Sequence, residues 1–448
     1  MERNGMRWAL VAMLAAAAMD LIDTTIVTVA APAIRADLAA SAAEVEWSVA
    51  GYALAFGVGL VAGARTGDRF GRRPVFLAGV AGFVLASLAC GLAPGPGVLV
   101  SARVVQGLAA AVMIPQVLTV IQVSVPRARR AGAFAAYGAT AAIGTVSGPL
   151  LGGLLVEADL LGLGWRSVFL VNVPIGVLAF AVAALTLPDS RAPRARRLDV
   201  VGTVLLAAGL LLVLHPVAQG PRLGWPWWAV ALPFCSVAVV AAFVAWQRRA
   251  PSPLVPLSLF RLHGFVGGAC AQIALYAGVT GFFLVLAVEL QTVHGFSAWG
   301  TGLTFVAWSA GIAVASAFSG RLAARWGRRL TVAGALVMCL GMIGLLVANG
   351  PVIGAADLVP GLFVAGLGMG LVAPTLVEVS LREVDLAHAG AASGVVATAG
   401  QLGGALGVVG LGAVHLVTGD LAAVLWCEVA LFASVAVFLS AASRTRVA

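Results

Sequence analysis

Fourteen long apolar segments follow one another along this chain with only short turns between them, and that succession decides what it can fold into. They fall roughly at 7–31, 46–64, 75–93, 98–123, 131–156, 167–187, 200–218, 227–247, 264–289, 299–320, 330–349, 356–380, 388–416 and 421–442, separated by turns rich in Gly, Pro or Arg. A helix needs about 20 apolar residues to cross the hydrocarbon of a bilayer, so fourteen spans with short loops use nearly all 448 residues. No stretch is left for a separate soluble catalytic domain. Charge supports the same reading: only 10% of residues are charged, where a soluble domain carries about 25% because its surface faces water. The expected fold is all-α and polytopic. The first segment, though close to the N-terminus, is interrupted by two aspartates and followed by many spans, so it reads as a retained helix and not a cleaved signal.

The formal charge of +9 would suggest nucleic acid in a soluble protein. Here its distribution assigns it to topology. With the N-terminus inside, every arginine except Arg35, Arg103, Arg166 and Arg222 falls in a cytoplasmic segment, down to Arg444 and Arg446. Such a bias in short loops sets orientation, and it supports an even number of spans with both termini cytoplasmic. Nucleic acid is therefore not an expected partner. The five cysteines stand singly and the histidines show no ligand spacing, so no metal site or disulfide framework is indicated.

One stretch occurs twice. Residues 64–74 read ARTGDRFGRRP and residues 320–330 read GRLAARWGRRL, sharing Arg, Arg, Gly, Arg and Arg at matching places. Each lies in a short loop between two spans, the first after segment 2 and the second after segment 10. A duplicated six-helix unit with two spans inserted between the copies gives that placement, and paired bundles around a midplane site are a recurrent transporter plan; chance similarity of two arginine-rich loops is the alternative. The expected division is 1–190 for the first six-helix bundle, 191–262 for the linker with its two inserted spans, and 263–448 for the second bundle.

The motifs themselves carry a resemblance. Asp68, Gly71, Arg72 and Arg73 match the loop pattern GxLaDrxGrr, with Ala64 and Thr66 departing from it. Arg103, Gln106 and Gly107 match RxxqGxgaa in the fourth span, and Gly144, Gly148, Pro149, Gly152 and Gly153 match gxxxGPxxGG in the fifth. Residues 23–32 are close to DxTivNvAlP, with Thr28 in place of the usual Asn, while Trp165, Arg166, Phe169, Asn172 and Pro174 fit the entry to the sixth span. Together these resemble the major facilitator superfamily, specifically its fourteen-helix drug:proton antiporters, over nearly the whole length. The resemblance implies two six-helix bundles plus two extra helices, alternating access, and export of small lipophilic or cationic compounds in exchange for protons. It also places the glycine strip of the fifth span at the interface between the bundles.

Physical reading adds roles for single residues. Ionisable groups within the hydrocarbon are costly and usually mark a pathway or relay; the candidates are Asp20, Asp23, Arg103 and Glu428. Asp20 and Asp23 are three apart and share a helix face. Asp23 lies roughly 10 Å below the outer end of its segment and Arg103 about 8 Å below the outer end of its own, at about 1.5 Å per residue. An ion pair between them is feasible, the alternative being an Arg103 that snorkels to the interface. Asp20, Asp23 and Arg103 are thus assigned to proton coupling, and Gln106 and Glu428 to a possible substrate path. Glu428 either binds a cationic group or lines a wet crevice. Glu289 and Glu378, at helix ends, are expected to face water. Gly144, Gly148 and Gly152 make a smooth strip for close helix approach, and Pro149 favours a bend.

ATP-driven pumping is excluded, because the chain has no GxxxxGK[ST] loop and no lysine to complete one. A polytopic enzyme would need a clustered His/Asp/Glu or Ser/His/Asp site, and none is found. The expectation is a non-enzymatic, proton-coupled exporter in the plasma membrane, acting as a monomer without cofactor on a small-molecule substrate. A proton symporter or facilitator importing a metabolite is the alternative.

Overall fold

The computed structural model describes residues 3–188, 190, 199–220, 223–255, 257–350, 353–384 and 389–444. The four cytoplasmic-loop arginines at 191, 194, 196 and 197 lie outside the described residues. Long helices dominate: α1 (Arg3–Asp37), α2 (Ala42–Phe70), α3 (Arg72–Gly91), α4 (Pro96–Ser124), α5 (Arg127–Ala158), the single turn α6 (Ser167–Leu170) running into α7 (Asn172–Thr186), α8 (Val200–Gln219), α9 (Trp227–Arg249), α10 (His263–Thr292), α11 (Ala298–Trp326), α12 (Arg328–Ala348), α13 (Ala355–Leu381), α14 (Ala389–Thr418) and α15 (Leu421–Arg444). Among the described residues, thirteen helices are long and apolar enough to cross a bilayer, with α6 and α7 counted in one span. The 32-residue α5 is the remaining long helix. It covers the fifth apolar segment of the sequence.

The chain divides into two compact units, Met1–Ala207 with Ala250–Leu254, and Ala208–Arg249 with Val255–Ala448. In the first unit, α2 packs along α4, α3 along α4, and α1 along α5 and α7. Small residues make the closest crossings: a Cβ on Gly63 would lie 2.0 Å from the Ala111 carbonyl oxygen, and one on Gly107 2.4 Å from that of Tyr52. In the second unit α10 packs along α14 and α15, and α13 along α11 and α12.

The repeat seen in two loops runs through the helices. The bounds of α2 and α11 recur at an offset of 256 residues. Ser41 and Ser297 each cap the helix that follows, accepting from the backbone N–H three residues on. Gly71 and Gly327 each break the chain at positive φ, 104° and 50°, between the paired helices α2/α3 and α11/α12. Only glycine takes such a conformation without steric cost, so each loop turns where its sequence demands.

Candidate functional site

The fullest polar cluster among the described residues lies inside the first unit, around a carboxylate of α1. Asp23 is fully buried, and a buried carboxylate must be met by donors or it is strongly disfavoured. Two helices supply them. From α4, Arg103 pairs with Asp23 Oδ2 through its Nη1, and Gln106 donates from Nε2 to Oδ1 at 2.9 Å. From the start of α7, Asn172 donates from Nδ2 to the same Oδ1 at 2.7 Å. Arg103 and Gln106 are three apart, which puts both on one face of α4.

Arg103 is held on every side. Its Nε donates to the Ser48 carbonyl of α2 at 2.8 Å, and its Nη1 also donates to Gln106 Oε1 at 2.7 Å. The guanidinium lies 4.2 Å from the ring centre of Tyr52 and 5.6 Å from that of Phe169. A buried pair of charges is tolerated only with such additional hydrogen bonds, and a planar fork that also stacks on rings is a specifically arginine property. Ser87 of α3 closes the cluster, receiving from Gln106 at 3.3 Å and Asn172 at 3.0 Å while donating to the Phe169 carbonyl at 2.9 Å. Asp20 is engaged separately: its Oδ1 accepts from the Tyr52 hydroxyl. Tyr52 therefore touches both the Asp20 carboxyl and the Arg103 guanidinium.

Asp23, Arg103 and Gln106 are thus brought together, and Gln106 sits within the ion-pair cluster. Asn172, named above only as fitting a motif, is a direct partner of Asp23. Tyr52 and Ser87 are additional members that the sequence did not single out.

The loop after α2 is a second assembly. Asp68 pairs with Arg72 one turn on at 3.0 Å. Arg72 also donates from its backbone N–H to the Ser190 carbonyl at 2.9 Å, and Arg73 donates to the Ala184 carbonyl near the end of α7. Arg65 donates to the Ser252 and Pro253 carbonyls. The arginines of this motif thus tie the α2–α3 turn to the chain beyond α7 within one unit.

The glycine strip of α5 lies against α1. A Cβ on Gly144 would meet Leu21, one on Gly148 would come 1.8 Å from Thr25 Oγ1, and one on Gly152 would come 2.9 Å from the Ile26 carbonyl oxygen. Pro149 and Gly153 lie buried beside them. The strip therefore seats the stretch of α1 that carries Asp20 and Asp23.

Two acids of the second unit behave differently from the first. Glu428 of α15 is fully buried, and among the described residues neither of its oxygens has a hydrogen-bond partner. Glu289, expected to face water, is only 7% exposed; His294 and His415 approach its two oxygens at 3.7 and 3.4 Å. The turn after α10 folds back over the helix end, as the Phe296 N–H to Leu290 carbonyl bond records. A helix-end position therefore did not bring exposure.

Known proteins place this architecture. The family model described as Major Facilitator Superfamily matches residues 13–408. The chain is 43% identical to the "Probable actinorhodin transporter" of Streptomyces coelicolor, over 91% of this chain and 72% of that one. It is 37% identical to the "Puromycin resistance protein pur8" of Streptomyces alboniger, over 90% of this chain and 80% of that one. In fold it is similar to a crystal structure of the peptide transporter POT in complex with sulfate, with a TM-score of 0.72, 15% identity, and coverage of 97% and 94% of the two chains. A membrane setting and a small-molecule substrate follow, and the chain belongs to the Major Facilitator Superfamily of transporters.

Proposed function

We propose that this chain is a proton-coupled antiporter that exports small lipophilic or cationic compounds across the cytoplasmic membrane, with both termini in the cytoplasm. The observation that carries the reading is the Asp23–Arg103 pair, buried in the first unit and held by Gln106 and Asn172. An exchanger needs a group whose proton affinity changes with the state of the transporter. Removing a carboxylate from water favours its neutral form, and a nearby guanidinium favours the charged one. Motion of α4 relative to α1 would alter the second influence while arginine stays charged throughout. Asp20 lies one helical turn away and shares Tyr52 with the cluster, so a second carboxyl stands beside the pair.

A substrate bearing positive charge would compete with the proton for these acids, which is the simplest form of exchange. The relatives named for antibiotic transport and resistance support an outward direction and a drug-like substrate. The six-plus-two-plus-six arrangement, with two bundles alternating access and α8 and α9 between them in chain order, accounts for the recurring helix bounds. The arginine distribution supports the orientation. A susceptibility panel of cells with and without the chain, paired with a direction-of-flux assay, tests the reading. Raised resistance with outward flux is expected; inward, proton-driven accumulation would replace export with metabolite import.

A further inference from the structure

The 256-residue offset that relates α2 to α11 and Gly71 to Gly327 carries Asn172 onto Glu428. The same offset carries Asp23 onto Val279, Arg103 onto Val359 and Gln106 onto Leu362. The second unit has therefore lost every charged or amide member of the first unit's cluster and carries one acid where the first carries an amide. The surroundings agree with the register. Asn172 reaches α1 at Asp23, and Glu428 reaches α10 beside Gly278, where an added Cβ would lie 2.6 Å from Glu428 Oε2. Phe432, one turn on, covers the same glycine.

Around Glu428 the titratable neighbours are Cys427 on its own helix and Cys339 of α12, whose thiol donates to the Val429 carbonyl at 3.6 Å. Among the described residues neither carboxyl oxygen is met by a hydrogen-bond or ion-pair partner from α10, α12, α14 or its own helix. An ionised carboxylate with two unbonded oxygens in such a place is strongly disfavoured.

We infer that Glu428 is a second proton-carrying carboxyl, held neutral in the second unit at the place that Asn172 occupies in the first. Its contribution to coupling rests on the proton-exchange reading; its protonated state does not. Glu428 Oε2 fills the space that a Cβ on Gly278 would take, and with no neighbouring base among the described residues the proton is removed only when water or a cationic substrate reaches it.

Infrared difference spectroscopy of the purified full chain at neutral pH tests the first part. Glu428→Gln is expected to remove a carboxylic-acid C=O band that Asp23→Asn leaves in place, and Glu428→Asp is expected to keep a shifted acid band. No band lost in Glu428→Gln would overturn the inference. The second part is read in proteoliposomes with ethidium as probe, where Glu428→Gln should lower the protons moved per ethidium. An unchanged ratio would overturn the carrying role. Unsubstituted protein whose transport ignores the pH gradient would defeat the exchange reading alone and leave the infrared result standing.

Discussion

Arg103 and Asp23 meet although 80 residues separate them in the chain, and both side chains are buried. The pair has no solvent to fall back on. Removing one partner would leave the other as an uncompensated buried charge, which typically costs 3–5 kcal/mol. Arg103→Lys should behave almost as badly as Arg103→Ala, because an ammonium cannot donate at once to Asp23, Gln106 and the Ser48 carbonyl while stacking on Tyr52. Thermal stability of the purified variants, read beside transport, checks this. A lysine variant of full stability and activity would contradict it.

Asn172 should act through Asp23. Asn172→Ala removes one of the two amide donors on Oδ1, and leaving a buried acceptor short of a partner costs about 1–3 kcal/mol. Its effect should be non-additive with Asp23→Asn, since contacting residues couple. A double-mutant cycle on thermal stability measures this, and strict additivity would place Asn172 outside the cluster.

The loop motif should be one-sided. Asp68→Asn weakens the contact to Arg72, which in turn holds the backbone near Ser190, so transport should fall sharply at near-normal membrane levels. Ala324 stands at the matching place in the second copy, and Ala324→Asp should have the milder effect. Equal, small effects would remove the asymmetry.

Glycines divide by what their missing Cβ would strike. Gly107→Ala would put a methyl 2.4 Å from the Tyr52 backbone oxygen, whereas Gly97→Ala meets nothing within 4 Å among the described residues. Backbone cannot yield as a flexible side chain can, so Gly107→Ala should cut the yield of folded protein and Gly97→Ala should be silent. Detergent-solubilised yield and melting temperature distinguish them.

The membrane fold was readable from segment length and charge alone, because lipid imposes a strong pattern on a spanning chain. Asp23 and Arg103 were readable for a related reason. Two opposite charges at similar depth have few ways to exist except together. Tyr52, Ser87 and Asn172 were harder, since hydroxyls and amides are common in spans and satisfy themselves locally, as Ser48 does on the Val45 carbonyl at 2.7 Å. Only three-dimensional packing says which of them turns inward to a charge. Glu289 departs from the expected exposure because a helix-end position does not by itself meet water, and the returning turn with His294 covers it.

Coupling at Asp23 is the centre of the account, and inside-out vesicles with an imposed pH gradient, acidic inside, test it most directly. Ethidium uptake by the unsubstituted chain should depend on the gradient, while Asp23→Asn should lose that dependence and still fold, with probe binding retained or weakened. Full gradient-driven uptake by both Asp23→Asn and Asp20→Asn would contradict the account and move the proton site elsewhere in the chain.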